Sequence, residues 1–172
     1  MIKTHTINNL NSSKKNGSKD HKELALQIAK LASDSITYSN NHTYSKEEME
    51  GLGRNKTAES MLDLMNRSYV VYLTNEKDEL IGCGMVVRQD HLYFIKTLHI
   101  RPDYRGLGYA QKICDFGEEF LRTIGEKEIY IESLKYPKTI AFYQKRGFVE
   151  IPSSRLLKYT VFMKKTLNIG IR

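Results

Sequence analysis

HLYFIKTLHIRPDYRGLGYAQKICDFGEEF, residues His91 to Phe120, changes character twice. Leu92 to Ile100 is an apolar-rich run that reads as a strand and stops at Arg101-Pro102. A glycine-bearing turn follows, Arg105-Gly106-Leu107-Gly108-Tyr109-Ala110. Beyond it Ile113, Phe116, Phe120 and Leu121 recur at three-to-four spacing, the period of a helix with one apolar face. Strand, glycine loop and helix in that order suit an anion, because a helix N-terminus exposes unpaired N–H groups and the positive end of the macrodipole. Gly106 and Gly108 admit close approach of the backbone to a ligand, and Arg105 adds a donor fork matched to phosphate oxygens. A glycine pair alone does no more than tighten a turn.

The flanking segments supply a sheet. Tyr69 to Leu73 is a β-branched and aromatic run bounded by Asn75-Glu76-Lys77-Asp78, a hairpin signal. Leu80 to Arg88 is the next strand, and Gln89-Asp90 turns into Leu92–Ile100. Ile129 to Ser133 is a further strand, and a strand–helix–strand crossover of this length predicts parallel pairing beside Leu92–Ile100. Pro137 opens a helix holding Ile140, Ala141, Phe142 and Tyr143, with Gly147 at its C-terminal cap. Phe148 to Ile151 and Lys158 to Met163 read as a closing hairpin. Upstream, Ile2 to Ile7 alternates loosely as a first strand and Asn8 to Lys19 reads as an exposed loop. Asp20 caps a helix to about Ala32, and Ser33 to Thr43 is turn-like. Ser45-Lys46-Glu47-Glu48 has the capping-box pattern of a short helix that ends near Gly51 and Gly53. Another helix runs from about Thr57 to Asn66.

A length of 172 residues, with 40% hydrophobic and 27% charged residues, fits one globular domain over residues 1–172. The start has no apolar core of a secretory signal and no window is long enough to span a bilayer, so a soluble cytoplasmic protein without a membrane partner is expected. Cys83 and Cys114 have no neighbour at metal-ligand spacing and the five histidines are scattered, so buried reduced thiols and no metal are expected. The net charge of +7 is uneven: residues 135–172 hold nine Lys or Arg against Glu150 alone. Such a basic quarter attracts nucleic acid, an acidic protein or the phosphates of a nucleotide cofactor, or is a solvated surface. Without an aromatic nucleic-acid-binding strand or zinc-finger spacing, nucleic acid is the minority reading.

The turn reads Arg-x-x-Gly-x-Ala directly after Leu98-His99-Ile100-Arg101-Pro102. This resembles the acyl-CoA-binding motif of the GNAT superfamily of N-acetyltransferases, a strand end of the form L-x-V-x-P followed by R/Q-x-x-G-x-G/A opening a helix. Downstream, Ala141-Phe142-Tyr143-Gln144-Lys145-Arg146-Gly147-Phe148 is similar to the family's second signature, which carries a tyrosine and ends in Gly-Phe. The resemblance is clearest from about Tyr69 to Leu167. It implies an α/β fold whose mostly antiparallel sheet has a central splayed parallel pair and flanking helices. It also implies an enzyme that transfers acetyl from acetyl-CoA to a primary amine, small molecule or protein, by direct attack. The chain would act as a monomer or homodimer.

By the same resemblance, Leu98, His99 and Ile100 offer backbone to the pantetheine arm, and Arg105, Gly106, Leu107, Gly108, Tyr109 and Ala110 hold the pyrophosphate. Thr139, Phe142 and Tyr143 complete the cofactor contacts, with Tyr143 as general acid toward the departing thiolate. For the base, His99, Glu132 and a water chain ending at Asp90 stay open, because Lys96-Thr97 stands where many relatives have a carboxylate. Tyr136 stands where relatives often carry asparagine. The acceptor is expected beneath residues 36–56 and 152–158, with Tyr44 lining it and Glu47, Glu48 and Glu50 nearby. The alternatives are an acyl-CoA-binding regulator without turnover and, further off, a basic nucleic-acid-binding module.

Overall fold

In the computed structural model, which describes residues 1–10, 18–39, 44–152 and 159–168, the strand Leu92–Ile100 lies in the middle of a seven-stranded sheet. The strands are β1 (Lys3–Asn8), β2 (Ser68–Thr74), β3 (Leu80–Gln89), β4 (Leu92–Ile100), β5 (Glu128–Leu134), β6 (Val149–Glu150) and β7 (Thr160–Thr166). Their order is β1-β2-β3-β4-β5-β7-β6. Every neighbouring pair is antiparallel except β4–β5, the parallel pair that the crossover requires.

Side-chain alternation divides the sheet into two buried faces. The first is covered by α1 (Lys19–Ser39) and α3 (Ala58–Met65), whose Ala25, Ile28, Met61 and Met65 pack on Val70, Cys83, Met85 and Val87. α2 (Lys46–Gly53) lies between them in sequence and starts at Ser45 with the expected capping box. The second face is covered by α4 (Tyr109–Thr123) and α5 (Pro137–Lys145), with Cys114, Leu121 and Tyr143 against Val86, Ile95, Ile131 and Met163. α4 sits very close to β3. A Cβ at Gly84 would lie 2.6 Å from the Ile113 Cγ2, and one at Gly117 2.9 Å from the Val86 Cγ2.

Three boundaries differ from the sequence reading. α1 begins at Lys19, with the Ser18 hydroxyl accepting from the His21 N–H, rather than at a cap on Asp20. It also runs to Ser39, because Ala25, Ile28, Ala32, Ser35 and Ile36 continue one buried face while Ser33 and Asp34 sit on the wet side. The closing hairpin forms, but β7 starts at Thr160 and reaches Thr166, inserted between β5 and the two-residue β6. Residues 11–17, 40–43 and 153–158, parts of the expected loops, lie outside the described residues.

Candidate active site

Between Cys83 and Met85 on β3 there are two steps along the strand, whereas their partners His99 and Lys96 on β4 are three apart. β4 therefore holds one extra residue, a β-bulge, and Thr97 takes it up in the left-handed region at φ +56°. A β-branched residue there costs on the order of 1–3 kcal/mol. The bulge has a direct effect on the neighbouring pair: β4 and β5 match only at Phe94–Tyr130 and Ile95–Ile131 and then part. From Lys96 to Ile100 the β5-facing edge of β4 carries no strand partner, so its N–H and C=O groups face a fork. Such an edge suits an extended chain of amides.

At the open end of the fork lies the glycine loop. A 3-10 turn, Pro102–Tyr104, carries the chain out of β4, and Gly106 and Gly108 both have left-handed φ, +78° and +81°. A Cβ on either would meet no protein atom within 4 Å, so the glycines are set by backbone conformation and not by crowding within the chain. Gly108 caps α4 without any side-chain cap, and the first helical bond runs from the Lys112 N–H to the Gly108 carbonyl. The N–H groups of Gly108 to Gln111 thus have no intrahelical acceptor, and no acidic side chain occupies the first turn. This is a cradle for an anion.

Arg105 is placed differently from the expectation. Its Nε donates to the Ile100 carbonyl at 3.1 Å and its Nη2 to the Ser35 hydroxyl at 3.0 Å. The guanidinium bolts the end of β4 to α1.

Of the candidate acid and bases, Tyr143, His99 and Glu132 lie around the fork. Tyr143 belongs to the buried cluster that contains Ile95 and Ile131, the last pair before the strands part. Its ring meets Phe142 and Phe148 edge-on at 5.1 and 5.4 Å, and burial, with the Cys114 thiol beside it, pushes its hydroxyl well above the ordinary phenol range. Thr139 and Phe142 are half-buried on the same helix. His99 and Glu132 lie on the opposite face of the sheet. Burial, then Lys56 and Arg105, lowers His99 to about 3, so its imidazole is neutral. Glu132 is exposed on β5 beyond the last β4–β5 pair, and its Oε1 accepts from the Thr160 hydroxyl at 2.9 Å. Asp90 sits in the β3–β4 turn, at the end of β4 away from the loop.

Tyr44 lies half-buried beside the C-terminal end of β5. Its hydroxyl donates to the Tyr159 carbonyl at 2.8 Å and accepts from the Lys135 N–H at 3.1 Å, and its ring stands edge-on to Tyr136 and Tyr159. Tyr136, in the asparagine position, donates its hydroxyl to the Met49 sulfur at 3.7 Å and so ties α2 to the start of α5. Glu48 is engaged in its own capping box, and Glu47 and Glu50 point to solvent. Sequence reading missed Lys56, half-buried between α2 and α3 and within electrostatic reach of His99 and Lys96. Nothing in a lone lysine of a loop signals such a position. Among the described residues no group of three or more His, Cys, Asp or Glu is placed to hold a metal ion, and no helix is long and apolar enough to cross a membrane.

A forked parallel pair facing a glycine loop and an uncapped helix defines an acyl-CoA-type binding scaffold. The model of the acetyltransferase (GNAT) family matches residues 33–148, more than half of the chain, and the chain belongs to that family. Solved structures agree in fold. The PaiA N-acetyltransferase from Thermoplasma acidophilum, in complex with coenzyme A, superposes with a TM-score of 0.77 at 17% identity, covering 96% of this chain and 99% of that one. A GNAT-family acetyltransferase from Staphylococcus aureus gives 0.69 at 18% identity, with 98% and 100% covered. None of the curated proteins matches this chain.

Proposed function

We propose that this protein transfers an acetyl group from acetyl-CoA to a primary amine without a covalent enzyme intermediate. The observation that supports this best is the fork itself: an unpaired β4 edge from Lys96 to Ile100 leading to the uncapped start of α4. The edge suits the amides of the pantetheine arm. The N–H groups of Gly108 to Gln111 suit the pyrophosphate.

In this reading the acceptor enters on the face of Lys96, His99 and Glu132. Its ammonium loses a proton to water held by Glu132, the exposed carboxylate beyond the last β4–β5 pair. His99 is too weak a base at neutral pH to do this, being held near 3. The free amine attacks the thioester carbonyl, a C–N bond forms, and the C–S bond breaks. Tyr143 donates a hydrogen bond to the departing sulfur. Complete transfer of its proton is uphill, since a thiol titrates near 8.5 and the buried hydroxyl lies above the ordinary phenol value of about 10. The buried thiols Cys83 and Cys114, both pushed up to about 12 by desolvation, are protonated and unsuited to nucleophilic relay.

Thiol release from acetyl-CoA across a panel of amines tests the reaction, and calorimetry with coenzyme A tests the cradle. Gly108→Glu places a carboxylate at the pyrophosphate position in a left-handed conformation, and binding should be lost in a variant that stays folded. Unchanged affinity would remove the loop from the site. Coenzyme A binding without thiol release for any amine would instead favour a regulatory acyl-CoA-binding protein.

A further inference from the structure

The acceptor face of the fork is unexpectedly positive. Lys96 and His99 stand on β4, Lys56 reaches in from the α2–α3 junction, and Arg105 closes the strand end. Two of these cations have partners within the chain: Arg105 holds Ser35 and the Ile100 carbonyl, and the Lys96 ammonium donates to the Gln89 side chain at 2.7 Å. The Lys56 side chain is half-buried and makes no hydrogen bond or ion pair among the described residues. Among the described residues the groups that act on it are Lys96 and the Cys83 thiol, with neutral His99 nearby, and none is a carboxylate. The acids of the nearest helix are turned elsewhere, Glu48 to its cap and Glu47 and Glu50 to solvent.

An ammonium partly withdrawn from water, beside the like charge of Lys96 and with no counter-ion among the described residues, is destabilised, in keeping with the lowered proton affinity that burial and Lys96 impose on Lys56. An anion arriving on that face relieves the cost. The thioester brings none there, because its carbonyl is neutral and the pyrophosphate belongs at the α4 terminus. The acceptor is the ligand left to bring it. Resting on the acyl-transfer reading above, we propose that the acceptor is a zwitterionic amine of the amino-acid class, whose carboxylate pairs with Lys56 while its amine faces Glu132 across the fork. Lys56 would then determine specificity, and a purely cationic polyamine would be disfavoured by like charge.

The test compares glycine, L-alanine and L-methionine with their carboxamides and with spermidine, on wild type and on Lys56→Met, which keeps an unbranched apolar stem and removes the ammonium. Loss of a charge-assisted pair should lower kcat/KM for the free acids by roughly tenfold or more and leave the amides near wild type. Lys56→Arg should restore the preference. A merely structural lysine would lower acids and amides together. That outcome, or faster turnover of spermidine than of any acid, overturns the inference while acyl transfer stands. If no amine releases thiol, the acyl-transfer reading fails, and binding alone judges Lys56. N-acetylglycine and N-acetylglycinamide are then titrated by calorimetry into the coenzyme A-loaded protein. Acid-selective binding that Lys56→Met abolishes upholds the anion site; equal binding of the two, or none, overturns it.

Discussion

Several residues at this site have side chains that the chain itself engages, and this narrows what is left for chemistry. Arg105 looks from its position in the loop like a phosphate ligand, yet its guanidinium holds Ile100 and Ser35. Tyr44 was expected to line the acceptor compartment, and its hydroxyl instead joins Lys135 to Tyr159, so its substitution would loosen the β5–β7 end as well as any acceptor contact. Tyr143 is the side chain proposed to act on the departing sulfur. Tyr143→Phe preserves the ring contacts with Phe142 and Phe148 and removes the hydrogen bond proposed to the developing thiolate. We expect kcat to fall by about 10-fold to 10²-fold with little change in acetyl-CoA affinity, read by single-turnover kinetics. An unchanged chemical step would return Tyr143 to the core. The engagements of Arg105 with Ser35 and of Tyr44 with Lys135 and Tyr159 are not legible in sequence, because they join residues far apart in the chain.

At the scale of elements, the sequence spoke clearly wherever one period dominated. The strand, loop and helix from Leu92 to Thr123, the parallel crossover to β5 and the Ser45 capping box all follow from local pattern. The end of α1 did not, because its polar Ser33 and Asp34 conceal an apolar stripe that continues to Ile36. The bulge was equally hidden. Tyr93 and Ile95 belong to one face and Leu98 and Ile100 to the same face, three residues instead of two separating the middle pair. That slip of phase was the available signal. The approach of α4 to β3 makes a separate prediction. Gly84→Val adds branches where even a Cβ lies 2.6 Å from Ile113, and overpacking of this kind should cost about 1–3 kcal/mol in chemical denaturation. Wild-type stability in Gly84→Val would mean that α4 rides further from the sheet.

For the whole molecule, the basic C-terminal quarter turns out to be partly internal. Glu118 of α4 is 2% exposed and binds Arg146 at 2.6 Å, Lys165 at 2.7 Å and Arg122 at 3.2 Å, tying α4, α5 and β7 together. Lys164 pairs with Glu128 on the other face. Part of the charge that read as a surface for polyanions therefore serves the fold. Burial alone would raise the Glu118 carboxyl, but hydrogen bonds from Lys165 and Arg146 outweigh it and hold it below the ordinary value. Because the folded state binds this proton less readily than the unfolded state, the group stabilises the fold above the ordinary glutamate range and the gain is lost as pH falls through it. Glu118→Ala leaves Arg146 and Lys165 without their buried counter-ion and should destabilise by about 3–5 kcal/mol at neutral pH. Its melting temperature should also fall less steeply on acidification than that of wild type; parallel pH curves would show that the network contributes nothing.

The bulge has one more implication, for insertions and deletions. Omit Thr97 and the remaining residues of β4 alternate without a break: Lys96 and His99 toward α1, Leu98 and Ile100 toward α4. Excising that single codon would let β4 and β5 zip to their ends, relieve a left-handed threonine and keep every other side chain on its own face. On the proposed function, the product would be a sounder sheet with nowhere to lay a cofactor. The open fork is thus written partly as a miscount, one residue more than the sheet needs.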